Sequence, residues 1–522
     1  MSINRVCIKA TLTLNSPMHI GTGEREDKKD KDDKQLGSVA LVALDHSDNP
    51  CIPGSALKGI MRDALAPLFR GGSDKQKGDK QKNAFKAVFG MPPDEIESTA
   101  PDETESTAPD KKQSIGGKAV FQDAIFVGDA PDLGGLPEEV ATAHNPVTGA
   151  AKSRTLRATK TVPAGTAFAI KVMLDNADDS EIAVVKKGLE VLGASPTANL
   201  GGGSRSGHGQ FDISSIQVER ADANAIADWL ADGSGHWSAH DLIFARQNAN
   251  TDPAGISAMA TSADDSIFAI VKLHFAGQML SRGETVKKDD VDTTQPYKQG
   301  QHYVLTGRSV LGVLRARARR ICLTLGKGIK NENSPFRQLF GNTGYDGAFS
   351  AGNFVCAEAK IAAHEMVAID RFTGGAKDQD KFRNEVLEKP AFSGKLSLRF
   401  GGRANNDFSG KKSKQERDKL APAAVGLLAL VLRDLAEGDL TFGSGSSKGY
   451  GAIEQVELTE LSGGVGVYDE TFDQELKTAL SNPSTKMLAK EKVRKGINAA
   501  VQAFVDCTAA QDEETQADAA TG

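Results

Sequence analysis

Aromatic side chains are scarce in this chain: they make up 6% of its 522 residues, with two tryptophans. Proteins that read single-stranded bases usually stack them on rings set along a sheet. No run of the GFGFV kind occurs, so base-by-base readout is not expected. Cysteines are few. Cys7, Cys51, Cys322, Cys356 and Cys507 are scattered and form no CxxC pair, which argues against a disulfide framework and against a zinc site. No apolar run reaches spanning length, and the opening MSINRVCIKATLTL lacks a signal-peptide core. A cytoplasmic protein without membrane association is expected. A nucleotide-binding loop is missing as well. In PGSALKGIMRDAL (53–65), Lys58 precedes Gly59, and Ile60 stands where the magnesium-binding hydroxyl belongs.

What is present is a globular composition, 39% hydrophobic with a mean hydropathy of -0.34, long enough for roughly two to four domains. The net charge of -6 is unevenly spread. Residues 91–110 carry seven acids and no base, and residues 506–522 carry five acids and no base. Setting those twelve aside leaves 63 bases against 57 acids. The stretch 293–331 holds Lys298, Arg308, Arg315, Arg317, Arg319, Arg320, Lys327 and Lys330. Such a cluster suits a polyanion, and equally a solvated helix face.

The chain repeats itself. PGSALKGIMRDAL (53–65) aligns with TGRSVLGVLRARA (306–318), pairing Gly54 with Gly307, Gly59 with Gly312 and Arg62 with Arg315. AVFG (87–90) answers QLFG (338–341), and NPVTGAAK (145–152) answers DRFTGGAK (370–377). SRSGHGQF (204–211) answers SSKGYGAI (446–453). Four weak matches in one order point to internal duplication. Each copy reads as a strand (6–14; 268–276), a glycine loop, a charged loop, the glycine-bracketed helix, more strands, a second helix (181–193; 421–438) and a last strand. That is an α+β, ferredoxin-like order. Expected domains are 1–260, 261–462, and a helical appendage with an acidic tail over 463–522. The ESTAPD-repeating stretch 91–118 reads as a disordered insertion.

In their order and double occurrence, these motifs resemble the RAMP superfamily. They are most similar to the Cas-seven-type backbone subunits of type III CRISPR effector complexes, as a tandem fusion of the III-D or III-E kind. The resemblance covers residues 3–215 and 266–458. It implies two ferredoxin-like (RRM-like) domains with thumb β-hairpins, stacked along a guide RNA beside other RAMP-type subunits. It further implies contact with complementary target RNA, and cleavage at about six-nucleotide spacing by a loop aspartate upstream of the glycine-bracketed helix.

Backbone approach at glycines and N–H groups at a helix start favour phosphate. The expected RNA contacts are therefore Gly54, Ser55, Lys58 and Arg62 in the first copy, and Gly307, Arg308, Ser309, Arg315 and Arg319 in the second. Arg205 and Lys448 in the closing glycine loops join them, with Arg154, Arg157, Lys160, Arg371 and Lys377 around the thumbs. Candidate catalytic residues are Asp33, Asp32, Asp30 and Asp27 in the first loop, and Asp292, Asp290 and Asp289 in the second, with Asp33 and Asp292 preferred. A carboxylate there would take the 2′-hydroxyl proton or hold Mg²⁺ or Mn²⁺, giving 2′,3′-cyclic phosphate and 5′-hydroxyl ends. The alternatives are a guide-binding scaffold with inert solvated loops, and a guide-processing RAMP ribonuclease using His19, His144 or His208.

Overall fold

Asn4–Leu14 (β1) alternates as its sequence predicts: Val6, Ile8, Ala10, Leu12 and Leu14 are buried on one face. The computed structural model describes residues 3–29, 35–70, 75–91, 115–128, 136–145, 150–195, 198–231, 245–246, 256, 266–329, 334–341, 347–399, 414–463 and 491–507. The chain divides into two units, residues 1–204 with 208–263, and residues 205–207 with 264–522.

In the first unit β1 is followed by Gly21–Lys29 (β2), Gln35–Val42 (β3), and the helices Gly54–Arg70 (α1) and Lys75–Phe89 (α2). Then come Ala124–Val127 (β4), Glu138–Ala141 (β5), Arg157–Lys160 (β6), Ala167–Asp175 (β7), the helix Asp179–Ala194 (α3) and Phe211–Asp222 (β8). The main sheet has the antiparallel order β8-β1-β7-β4. Numbered by their place in the repeat, the strands run 4-1-3-2, which is the ferredoxin-like arrangement. A second sheet, β2-β3-β6-β5, joins β3 to β6 in parallel.

The second unit repeats this order. Ser266–Phe275 (β9), Arg282–Lys288 (β10), Val291–Pro296 (β11) and the helix Gly307–Thr324 (α4) come first. Phe354–Cys356 (β12), Lys360–Ile369 (β13), Ala376–Glu388 (β14) and Ala391–Arg399 (β15) follow. The helix Lys414–Ala436 (α5), Ile453–Gly463 (β16) and the helix Glu491–Asp506 (α6) complete it. Its main sheet is β16-β9-β15-β12, and its small sheet is β10-β11-β14-β13 with β11 parallel to β14. Each unit has its own main hydrophobic cluster, one around Ile8, Leu12, Phe168 and Leu189, the other around Leu273, Leu314, Phe392 and Leu427, and a small third one joins Leu280, Val386 and Tyr450.

Repeated glycines occupy matching places. Gly209 and Gly451 have φ of 68° and 81°, and a Cβ on either would stand 1.9 Å from a carbonyl oxygen, that of Leu200 or Phe442. Only glycine meets both demands. Two expectations change. The insertion is shorter than 91–118, because Gly90–Met91 pairs with Ile115–Gly116 and brackets it. The C-terminal helix α6 is no appendage, because Phe504 sits in the second core and Ala500 packs against Gly426. Residues 92–114 and 508–522 lie outside the described residues.

Candidate functional site

The glycine-bracketed helices bury one face and open the other. Leu57, Ile60, Met61 and Leu65 of α1, and Val310, Leu314, Ala318 and Cys322 of α4, face the cores. Ser55, Gly59 and Arg62 share the opposite stripe of α1, as Arg308, Gly312, Arg315 and Arg319 do on α4, at the helical i, i+4, i+7 spacing. Gly59 and Gly312 are exposed, and nothing lies within 4 Å of a Cβ built on either. Packing gives no reason for these two helix-interior glycines, each of which costs about 1 kcal/mol relative to alanine. They leave the helix surface bare where a ligand backbone can approach. Arg315 lies 5.6 Å from the Phe336 ring centroid, which holds its guanidinium at that surface. Lys58 is half-buried on α1.

Gly54 and Gly307 play a different part from the one expected. Their amides donate to Asp123 Oδ1 at 2.8 Å and Asn353 Oδ1 at 2.9 Å. A Cβ on either would lie 2.1 Å from a strand carbonyl, that of Phe121 or Ala351. Close packing of helix on sheet requires these glycines, and their N–H groups are already satisfied. The basic stretch 293–331 is likewise divided. Arg317 pairs with Asp434 at 2.6 Å and Asp439 at 3.0 Å, and Lys327 donates to the Val505 and Cys507 carbonyls. Lys298 lies 4.5 Å from the Tyr303 ring centroid.

The second unit places one predicted aspartate in a cleft. Asp289 and Asp290 form the two-residue turn between β10 and β11, with left-handed φ of 52° and 59°, the geometry of the tightest hairpins. Asp289 also pairs with Arg383 at 3.3 Å. These two residues therefore serve the turn through their backbone, and neither lines the cleft around Asp292. The turn sets the register Lys287↔Asp292 and Thr285↔Thr294, and the parallel neighbour adds Asp292↔Phe382 and Thr294↔Asn384. With side chains alternating along strands, Asp292, Thr294, Thr285, Phe382 and Asn384 share one face. They line a cleft of about 310 Å³ whose wall includes Arg282, Ser444 and Lys448.

The closing glycine loop is tied over this face. Lys448 Nζ lies 4.7 Å from the Phe382 ring centroid, and Tyr450 Oη lies 2.8 Å from His364 Nδ1. Burial pushes the Tyr450 phenol up, against a hydrogen bond with Asn384, so the ring stays neutral. Among the residues lining the cleft Asp292 is the single carboxylate, in company with the cations Arg282 and Lys448. Such a set can take a proton from a hydroxyl and hold a phosphate beside it.

The sequence pointed to Asp292 and Lys448 separately and missed Arg282, Thr294 and Asn384. Nothing in a local motif marks them; the parallel pairing of β11 with β14 brings them together. Phe372 was also missed. It is fully exposed in the turn between β13 and β14, where Asp370 Oδ1 accepts from the amides of Phe372 and Thr373. A bare aromatic in an aromatic-poor chain was the available signal. Arg371 and Lys377 flank it, both exposed.

In the first unit Asp27 is exposed on β2, while Asp30, Asp32 and Asp33 lie outside the described residues. Arg154 and Arg157 are exposed, and Lys160 pairs with Glu26 at 3.1 Å. Arg205 groups with the second unit, and its half-buried guanidinium donates to main-chain carbonyls. His208 Nε2 meets the Glu139 carboxylate at 2.6 Å, and His19 Nδ1 meets the Lys160 carbonyl at 2.9 Å. Both histidines are held structurally, and His144 forms an isolated bridge with Ala151.

Among the described residues, Asp434, Glu437 and Asp439 are grouped as metal ligands would be. Arg317 and Arg433 already neutralise Asp434. No described helix is long and apolar enough to cross a membrane. The family model of the RAMP superfamily matches residues 11–212 and 270–454. No curated protein matches the chain.

Proposed function

Because the chain belongs to the RAMP superfamily, we propose that it is a guide-RNA-binding backbone subunit of a type III CRISPR effector complex, two RAMP domains in one chain, and that it cleaves complementary target RNA. The observation that carries the cleavage reading is the Asp292 cleft, whose lining holds one carboxylate together with Arg282 and Lys448. Both helix stripes, Ser55–Gly59–Arg62 and Arg308–Gly312–Arg315, follow the guide backbone without reading bases. Phe372, at the tip of the β13–β14 hairpin, is the thumb's wedge against a base pair. Guide–target pairing supplies the sequence specificity.

The reaction is an internal transesterification. Asp292 takes the proton of a ribose 2′-hydroxyl, the 2′-oxygen attacks the adjacent phosphorus, and the bond to the 5′-oxygen breaks. The leaving oxygen is protonated by Lys448 or water, giving 2′,3′-cyclic phosphate and 5′-hydroxyl ends. Arg282 and Lys448 hold the phosphate and offset its charge. Asp292, Thr294 and Asn384 offer hard oxygen donors that fit Mg²⁺ or Mn²⁺, which when bound would supply further neutralisation at the phosphate. One carboxylate in a cleft that also holds two cations is a weak cage, so such an ion would be held only together with RNA.

The test uses the assembled complex with labelled, guide-matched RNA, in Mg²⁺ and in EDTA. Asp292→Ala is expected to lower the rate of at least one cut by about 10²–10⁴-fold with RNA binding retained. Cutting undiminished by Asp292→Ala and by Asp33→Ala alike would make the chain a scaffold and assign cleavage to a neighbour.

A further inference from the structure

The two units are built on one plan, so their small sheets can be aligned strand by strand. The polar tie between closing loop and small sheet is the anchor. In the second unit Tyr450 of the Gly-Tyr-Gly loop meets His364, in the first His208 of the Gly-His-Gly loop meets Glu139. His364 pairs with Asn384, which pairs with Thr294; Glu139 pairs with Thr159, which pairs with Ala40. Ala40 therefore stands where Thr294 stands. The hairpins give the same answer independently. Each carries a register irregularity followed by a regular pair, Arg25↔Ala40 in the first and Thr285↔Thr294 in the second.

Two residues back along the central strand, the position of Asp292 is held by Ser38. Its hydroxyl is already engaged, because Arg25 Nε donates to Ser38 Oγ at 2.8 Å and Arg25 Nη2 to the Ser38 carbonyl at 3.3 Å. Arg25 itself stands at the position of Thr285. Glu139, bound by His208, shares this face, as does Asp27, across the hairpin from Ser38 where the second unit has Lys287. Asp27 lies one strand further out, away from the parallel seam that forms the wall of the cleft in the second unit.

From this register we infer that the two halves divide the work: the second cuts RNA, and the first holds RNA at the matching position without cutting it. The inference rests on the reading of Asp292 as the proton acceptor. A serine bound to an arginine cannot take the 2′-hydroxyl proton at neutral pH, whereas the arginine still attracts phosphate. Among the described residues the first half thus keeps the grip and has no carboxylate in Asp292's place.

The experiment follows product lengths from guide-matched RNA in the assembled complex, with RNA binding measured in parallel. The expected result is a single cut that depends on this chain, reduced at least 100-fold in Asp292→Ala. Ser38→Asp combined with Arg25→Thr places an acid and a threonine where the second unit has Asp292 and Thr285, and is expected to add a second, regularly displaced cut. A cut that survives Asp292→Ala and is lost on Asp33→Ala or Asp27→Ala overturns the division of work while leaving the nuclease reading intact. If Asp292→Ala and Asp33→Ala both leave every cut unchanged, the nuclease reading itself fails, and the inference with it. Should the double variant fail to assemble, the Asp292→Ala and Asp33→Ala arms still decide.

Discussion

Asp434 is buried on α5 yet flanked by Arg433 at 2.7 Å and Arg317 at 2.6 Å. Burial pushes its carboxyl up, but the hydrogen bonds from Arg433 and Arg317 outweigh it and hold the group below the usual carboxylate range. A depressed carboxyl stabilises the fold above its ordinary titration range and loses that contribution as the pH falls through the lowered value. Asp434→Asn is expected to cost about 1–3 kcal/mol at pH 7. The gap from wild type should narrow below about pH 4, measured by urea unfolding at both pH values. Gly312 makes the opposite trade. Gly312→Ala should stabilise the exposed helix by about 0.5–1 kcal/mol while weakening guide binding, since the added methyl covers the bare surface. Filter binding beside thermal unfolding separates the two effects. Unchanged guide affinity would remove α4 from the RNA interface.

At the scale of elements, α3 shows how local chemistry sets a boundary. Asp178 caps it by accepting from the Glu181 amide, and the Glu181 carboxylate accepts from the Asp178 amide, a reciprocal capping box. Glu181 is buried and also bound by Lys118 at 2.7 Å. Asp178→Ala should therefore cost about 1 kcal/mol, seen as a lower urea midpoint with unchanged slope. The β10–β11 hairpin shows the same rule in a turn. Asp289 and Asp290 tolerate the left-handed backbone that a two-residue connection demands. Their acids were read as candidate chemistry because composition marks an aspartate equally in a turn and in a site.

At the scale of the whole molecule, duplication placed a complete 4-1-3-2 sheet and its own core in each unit. Residues 264–522 expressed alone are expected to unfold in one cooperative transition, followed by circular dichroism in urea. A broad, non-cooperative loss of signal would show that the second core depends on the first unit.

The sequence by itself determined the duplication, the ferredoxin-like order and the place of the glycine-bracketed helices. Strand alternation, helix spacing and the glycines at 209 and 451 are local demands, and local demands repeat with the chain. It also gave Asp33 and Asp292 as the preferred candidates of the two loops. Only the tertiary structure decided that Gly54 and Gly307 serve packing, that Asp289 and Asp290 serve a turn, and that α6 belongs to the second core. It likewise decided that Arg282 and Asn384 surround Asp292, and that Ser38 stands in Asp292's place in the first unit. Those facts depend on which strands lie side by side and in what register. A parallel pairing between segments some ninety residues apart is fixed by buried faces and hydrogen-bond ladders, and leaves no periodic trace in either segment.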